Sequence, residues 1–418
     1  MSEKDKHING PVNVVRMEGT VFDIKKVLYV FMDHHSPIQI QTQCDDPVSD
    51  DIKKYMAENF MQIEKQKNGK MYDLFYEIYP TSLSKKFTKY RARYIDEVFR
   101  LFQNEFNYDE KNDKVLPSKN FSHVRFHYID IRDYFYSVIQ VLLNDLVNLS
   151  ITIFKSMSIY PNEINVIDQK LQFLQNEMIF LYDNIYSEGK YKPKKQKGGA
   201  RALAPITDKT YEPVLKNFID KMMNRYNHLE VKKVLNDFTN DHLKYGFDKI
   251  LDAITDLRGE LPGIFESINI PYDKLTLKSG ILSKETYSWG PNFRSTLIYI
   301  FDLYDKISSI DNSILWLFAR LMDVYFLRRF LDKDYITNGI TYTGILHSMT
   351  YVYILGKFFD FDVTNFSYSS EKNIKQINKK IRDMTPNDFT EELILPKLFY
   401  PATLFQCSDL TGFPEHFN

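Results

Sequence analysis

The residues best suited to chemistry sit just beyond short apolar runs. Asp33, His34 and His35 follow Val27-Leu-Tyr-Val-Phe-Met32, Glu77 closes Met71-Tyr-Asp-Leu-Phe-Tyr-Glu-Ile-Tyr79, and Asp130, Arg132 and Asp133 follow His123–Tyr128. His347 stands three residues past Gly344 in Tyr-Thr-Gly-Ile-Leu-His-Ser. Asp33 and His35, two apart on an extended chain, point the same way and combine a carboxylate with an imidazole. Both types ligate divalent metals, and the imidazole is also a general base. Cys44, Asp45 and Asp46 could add ligands. The competing reading makes Asp33 a turn cap and the two histidines loop residues. In the first turn of a helix, His347 would have its pKa lowered by the dipole, which favours the neutral, ligating form.

Other polar residues carry less. His123 and His127 share a face on either a strand or a helix, so their spacing does not discriminate, and they read as structural. Arg328 and Arg329 end an apolar helical stripe, either as partners of the helix dipole or as an anion clamp. Asp323, inside that stripe, lies five and six residues before them, a poor match for one helix face. A buried Asp323 therefore requires a tertiary partner.

The flanking runs are rich in β-branched and aromatic residues and alternate with segments of helical period, at residues 50–66 and 85–106. This order predicts a helix-rich α/β protein. Beyond it, residues 134–186 and 211–265 are helical in pattern, the latter closed by Gly259, Pro262 and Gly263. Two apolar helices, 293–307 and 310–330, follow the turn at Ser288-Trp-Gly-Pro291. A last strand, tight turn, helix and strand, 338–366, return to the α/β pattern. The expected organisation is a flexible terminus at 1–20 and a first α/β part at 21–135. A helical insertion at 136–335, with a basic loop at 190–205, separates these from a second α/β part and tail at 336–418. The two α/β parts share one mixed sheet, and the aromatic excess, 15% of the chain, is expected mainly in the helical layer.

Composition narrows the classes. The 418 residues exceed a typical domain of roughly 150, and 15 Gly with 16 Pro are too few for a low-complexity chain. With 54 Lys and Arg against 55 Asp and Glu there is no global basic field. Nucleic acid could be met only by the stretch Lys190–Arg201, which also reads as a solvated loop. Two cysteines, Cys44 and Cys407, cannot build a disulfide framework, and a reducing compartment is the simple reading. Tyr134–Phe154 is broken by Gln140, Asn144 and Asp145, so it reads as a buried helix and no membrane span is expected. Phosphate-loop, nucleophile-elbow, His-Glu-x-x-His and kinase signatures are absent.

Two resemblances follow from these residues. Tyr29-Val-Phe-Met-Asp-His-His-Ser-Pro37, Phe126-His-Tyr-Ile-Asp-Ile-Arg-Asp133 and Leu321-Met-Asp-Val-Tyr-Phe-Leu-Arg-Arg-Phe330 resemble uncharacterised, mimivirus-like proteins of giant amoeba-infecting DNA viruses. That likeness implies a viral provenance, with the virion or a viral or host protein partner as its expected setting. The polar opening segment, without an apolar core, adds the expectation of an intracellular location, in host cytoplasm or virion. The order strand–His, strand–Glu, strand–Gly–His also resembles the TraB/TIKI, erythromycin-esterase and ChaN superfamily, although Asp33-His34-His35 stands where Gly-x-x-His or Gly-Glu-x-His is usual. The second resemblance implies a metal-dependent hydrolase. His35, Glu77 and His347 would be catalytic, Arg328 or Arg329 would stabilise developing negative charge, and Asp33, His35 and His347 would be candidate ligands of a divalent ion. The alternative is a non-enzymatic viral structural or host-interaction protein.

Overall fold

The computed structural model describes residues 6–40, 44–66, 69–79, 93–186, 212–268, 291–384 and 398–418. The basic stretch Lys190–Arg201 and most of the expected turn before residue 291 lie outside them. The chain forms two compact units. One comprises residues 1–131, 226–235 and 322–418, and the other residues 132–225 and 236–321.

The first unit opens with β1 (His7–Asn9), β2 (Asn13–Val21), β3 (Ile24–Asp33), β4 (Asp50–Asp51) and α1 (Ile52–Gln66). It continues through β5 (Tyr72–Tyr76), α2 (Tyr94–Gln103), β6 (Tyr108–Asp109), β7 (Lys114–Val115) and β8 (Val124–Tyr128). Residues 1–20 were expected to be a flexible terminus, but β1 and nearly all of β2 fall there. β2 hides Asn13–Met17 and pairs along its whole length with β3. The hairpin joining them turns on Phe22 and Asp23, both at positive φ as a two-residue turn of matching twist requires.

Among the described residues the main sheet runs β10-β2-β3-β9-β5-β8, where β9 (Asn338–Gly344) and β10 (Asp362–Phe366) come from the C-terminal part of the chain. Strands β3, β9, β5 and β8 are mutually parallel, while β2 and β10 run antiparallel to their neighbours. The sheet is thus mixed and is built from both ends of the sequence. From Val27 to Asp33 every residue of β3 is buried, as befits a strand covered on both faces. Pairing of Asp33 with Gly344, and of Tyr76 with both Tyr342 and Tyr128, brings the carboxyl ends of these parallel strands level. Phe60, Phe102, Phe106, Phe121 and Phe126 form a ring cluster within this unit, so a large part of the aromatic stock lies here and not in the helical layer.

The helical stretch comprises α3 (Gln140–Ser156), α4 (Pro161–Ile185), α5 (Glu212–Met223), α6 (Leu229–Phe238), α7 (Lys244–Ile268) and α8 (Pro291–Asp332). Single π-turns at Phe135–Ile139 and Thr239–Leu243 lead into α3 and α7. Within the second unit α4 packs on α7 through Tyr182 and Phe247, and Arg258 reaches back to Asp168 at 2.8 Å. α7 runs through Gly259, Pro262 and Gly263 instead of stopping there. α8 is one helix where two were expected, because Ser308 and Ser309 do not break it. Its buried positions Ile307, Ile310, Ile314 and Leu317 keep helical spacing across them. Phe135–Ser156 is long and apolar enough to cross a membrane by length and composition, and only 28% of it is buried. It is therefore not the buried helix expected. In α3 the buried stripe is Leu143, Leu146, Ser150 and Ile153.

α9 (Ile345–Phe358) and α10 (Ile374–Asp383) flank β10, and the chain closes with β11 (Cys407–Asp409), which pairs with β1. Cys44 and Cys407 are joined by a disulfide across 363 residues. The two cysteines, read from the sequence as thiols, are instead paired in this bridge. Replacing both cysteines by serine should lower stability by about 2–4 kcal/mol, since the bridge closes a very long loop. Thermal melts with and without reductant, compared with the double variant, measure the effect, and an unchanged midpoint would refute it.

Candidate functional site

At the end of β3, Asp33 is almost wholly buried and uses both carboxylate oxygens. Its Oδ1 accepts from the backbone N–H of His35 at 2.5 Å and from the ring Nδ1 of His35 at 2.7 Å. Its Oδ2 accepts from the Tyr342 hydroxyl at 3.0 Å. His35 is held at a φ of 59°, a left-handed conformation unusual for a non-glycine residue, and the Asp33 side chain closes the turn around it. With Nδ1 committed to Asp33, its Nε2 faces Glu77 Oε2 at 3.2 Å.

Glu77 follows β5 directly, and its backbone N–H donates to the carbonyl of Tyr342 at 3.3 Å. Its Oε2 also accepts the N–H of Gly344 at 2.8 Å, where β9 gives way to α9. Its Oε1 lies 3.4 Å from His347 Nε2. His347 sits in the first turn of α9 and gives its Nδ1 to Asp323 Oδ1, on α8, at 2.6 Å. One carboxylate is thus held between two imidazoles, each backed by a buried aspartate. A Cβ at residue 344 would lie 3.0 Å from His35 Nε2 and 3.4 Å from Glu77 Oε2, so glycine permits this close approach.

The electrostatics follow from crowding these charges away from water. Burial pushes the Glu77 pKa up, but His347 and His35 overcome it and hold the carboxyl well below its usual range. Burial lowers His35, yet Glu77 and Asp33 raise it to about 10. For His347 burial is again outweighed, by Asp323 and Glu77, and the pKa is raised to about 9. The expected lowering of His347 by the helix dipole is therefore reversed. A dipole contributes typically 0.3–1 kcal/mol, less than two carboxylates in direct contact. Both imidazoles thus favour the protonated form beside the Glu77 carboxylate.

Several expected participants lie elsewhere. Arg328 packs over the rings of Tyr226 and Tyr325, and Arg329 donates to His127, so neither stands beside Glu77 as a charge clamp. His34 engages Ser36, Cys44 is consumed by the disulfide, and Arg132 lies over Tyr136. Asp33 was expected to be a metal ligand beside His35 and His347, but it is turned onto Nδ1 of His35. Among the described residues no group of three or more His, Cys, Asp or Glu is arranged to hold a metal ion. Tyr342 and the Gly344 N–H were not foreseen as hydrogen-bond donors to this centre. Asp323 had announced itself as an acid in an apolar stripe in need of a partner, and His347 is that partner.

These shifts predict how stability varies with pH. The raised histidine pKa values contribute stability that is complete below pH 6.5 and is lost as pH rises through about 9 to 10. The lowered Glu77 value contributes stability present above about pH 4.5, lost as its carboxyl is protonated in the folded state. The Tm should therefore peak between these limits and decline toward pH 10, and Asp323→Asn should flatten the alkaline decline. Thermal denaturation across pH 4–10 checks this, and parallel alkaline curves for both proteins would contradict it. Gly344→Ala should destabilise by about 1 kcal/mol, as overpacking at a tight contact does. Denaturant unfolding would measure that change.

No solved structure matches the chain. Three proteins of Acanthamoeba polyphaga mimivirus are similar to it along nearly their full length. Uncharacterized protein R706 is 34% identical over 433 residues, covering 100% of this chain and 98% of the relative. Uncharacterized protein R161 is 33% identical, with 100% of both chains covered. Uncharacterized protein R160 is also 33% identical, covering 99% of this chain and 97% of the relative. The profile of a family of unknown function, DUF5847, matches residues 6–418, and the chain belongs to that family.

Proposed function

We propose that the His35–Glu77–His347 centre is a hydrolytic acid–base site acting on an ester-like carbonyl. The observation that carries this reading is the Glu77 carboxylate gripped by two aspartate-backed imidazoles at the carboxyl edge of parallel strands, where α/β sheets bind ligands. The order strand–His, strand–Glu, strand–Gly–His, by which the sequence resembles the TraB/TIKI and erythromycin-esterase group, agrees with it.

In this mechanism Glu77 takes a proton from water, and the water oxygen attacks the carbonyl carbon. The oxyanion that forms is held by His35 Nε2–H. Collapse breaks the bond to the leaving group, which receives the proton from Glu77 and restores the carboxylate. His35 is the more accessible imidazole, its side chain 31% exposed against 9% for His347. When His35 turns its N–H to the substrate oxygen, Glu77 loses part of the charge that depressed its pKa and becomes more basic at the moment of attack. His347, positioned by Asp323, keeps Glu77 oriented. The centre requires no metal ligand set, and none of these steps uses Arg328.

Purified full-length protein should hydrolyse short-chain p-nitrophenyl esters, and Glu77→Gln should lower kcat by roughly 10²–10⁴-fold. With the oxyanion donor His35 lost on deprotonation, kcat/KM should fall as pH rises through about 10. Hydrolysis by wild type no faster than by Glu77→Gln would overturn the reading and leave the cluster a stabilising network.

A further inference from the structure

A second polar network lies at the β8 edge of the sheet. Asp73, at the start of β5, is fully buried and accepts both Nε and Nη2 of Arg125, at 2.7 and 2.6 Å. It also accepts Nε2–H of His127 at 2.7 Å. Because a guanidinium can only donate, the 2.8 Å contact from Arg329 Nη2 makes His127 Nδ1 the acceptor and fixes a neutral imidazole. Burial, ahead of the neighbouring guanidinium groups, lowers His127 to about 4, in agreement with that state. Phe75 stacks on the ring at 4.7 Å and locks its orientation.

The charges do not close. Asp73 neutralises Arg125, and His127 brings none, so Arg329 is left without an ion-pair partner. Its Nε is buried with no hydrogen-bond partner. Burial opposes the charge of Arg329, but the neighbouring tyrosines and Asp73 outweigh that and raise its pKa; the Nε left without an acceptor is still costly unless one meets it. Beside it opens a cavity of about 370 Å³, also lined by Arg125, His127 and Lys114, with an apolar wall that includes Leu116 and Phe126. Asp113 is the carboxylate on the lining, and it accepts hydrogen bonds from the Tyr108 and Tyr128 hydroxyls. Lys114 faces Asp109 across the β6–β7 pair and Arg125 is met by Asp73, so among the described residues Arg329 is the lining cation with no carboxylate at ion-pair distance.

We propose that this cavity binds a small organic oxyanion, a carboxylate or phosphate carried on an apolar body, with Arg329 as its principal anchor. The planar fork of Arg329 suits either oxyanion, and the apolar wall suits a ring or short chain. The volume falls within the range of small-molecule sites. This site is independent of the Glu77 centre and of any hydrolysis there.

Benzoate and phenyl phosphate, titrated calorimetrically into the full-length protein, serve as probes, with benzamide as the uncharged control. At least one anion should saturate a single site, and benzamide should bind about tenfold or more weakly. Arg329→Gln should weaken the anion by about tenfold or more. Leu116→Trp, which fills the mouth from a partly exposed position without touching the charges, should block it. Which of the two anions binds tighter identifies the oxyanion. Failure of both anions to saturate a site, or binding unchanged in both variants, overturns the proposal.

Discussion

A carboxylate removed from water must be compensated where it stands, and the arrangement around Glu77 answers that requirement. Two imidazoles and a backbone N–H surround it, and each imidazole carries charge only because an aspartate lies behind it. Those aspartates are in turn buried, so the cluster is stable only as a set. Removing one member would leave the others as uncompensated charge in a low-dielectric interior. The left-handed backbone at His35 and the glycine at 344 are local consequences, since they let the groups approach within contact distance.

The sheet makes that set feasible. β9 enters between β3 and β5 after an excursion of some two hundred residues, and its pairing with both strands levels their carboxyl ends. Had the register slipped by one residue, Tyr342 would point to the opposite face and lose Asp33. Asp323 reaches the site from the last turns of α8, the same helix whose Arg329 serves the second network at β8. A single helix thus contributes to an anionic centre at the strand ends and to a cationic cavity beside the sheet edge.

Much of the framework was legible because periodicity reports burial directly. The runs at Val27, Met71 and Asn338 became strands, and His35, Glu77 and His347 just beyond them converge. Asp323 announced a tertiary partner because an acid in an apolar stripe cannot remain alone. The failures share a cause. Residues 1–20 were read as a flexible terminus, although pairing to β3 carries β2 into the interior, and the boundary expected between helices at Ser308 and Ser309 is bridged by neighbouring isoleucines. Arg328 follows the right helical stripe, yet a single helix position turns it toward Tyr226 and Tyr325.

By itself the sequence determined the class of fold, the strand ends that could carry chemistry and the polar residues available there, because patterning and residue type are local properties. Tertiary structure alone decided protonation and partnership. His347 is raised because Asp323 and Glu77 meet it from other elements, His127 is neutral because Arg329 occupies its Nδ1, and Asp33 closes onto the His35 ring and backbone. The two cysteines, 363 residues apart, likewise become a bridge only when β11 returns beside β1. Charge state and coordination depend on distances between segments remote in sequence, and those distances exist only once the chain has folded.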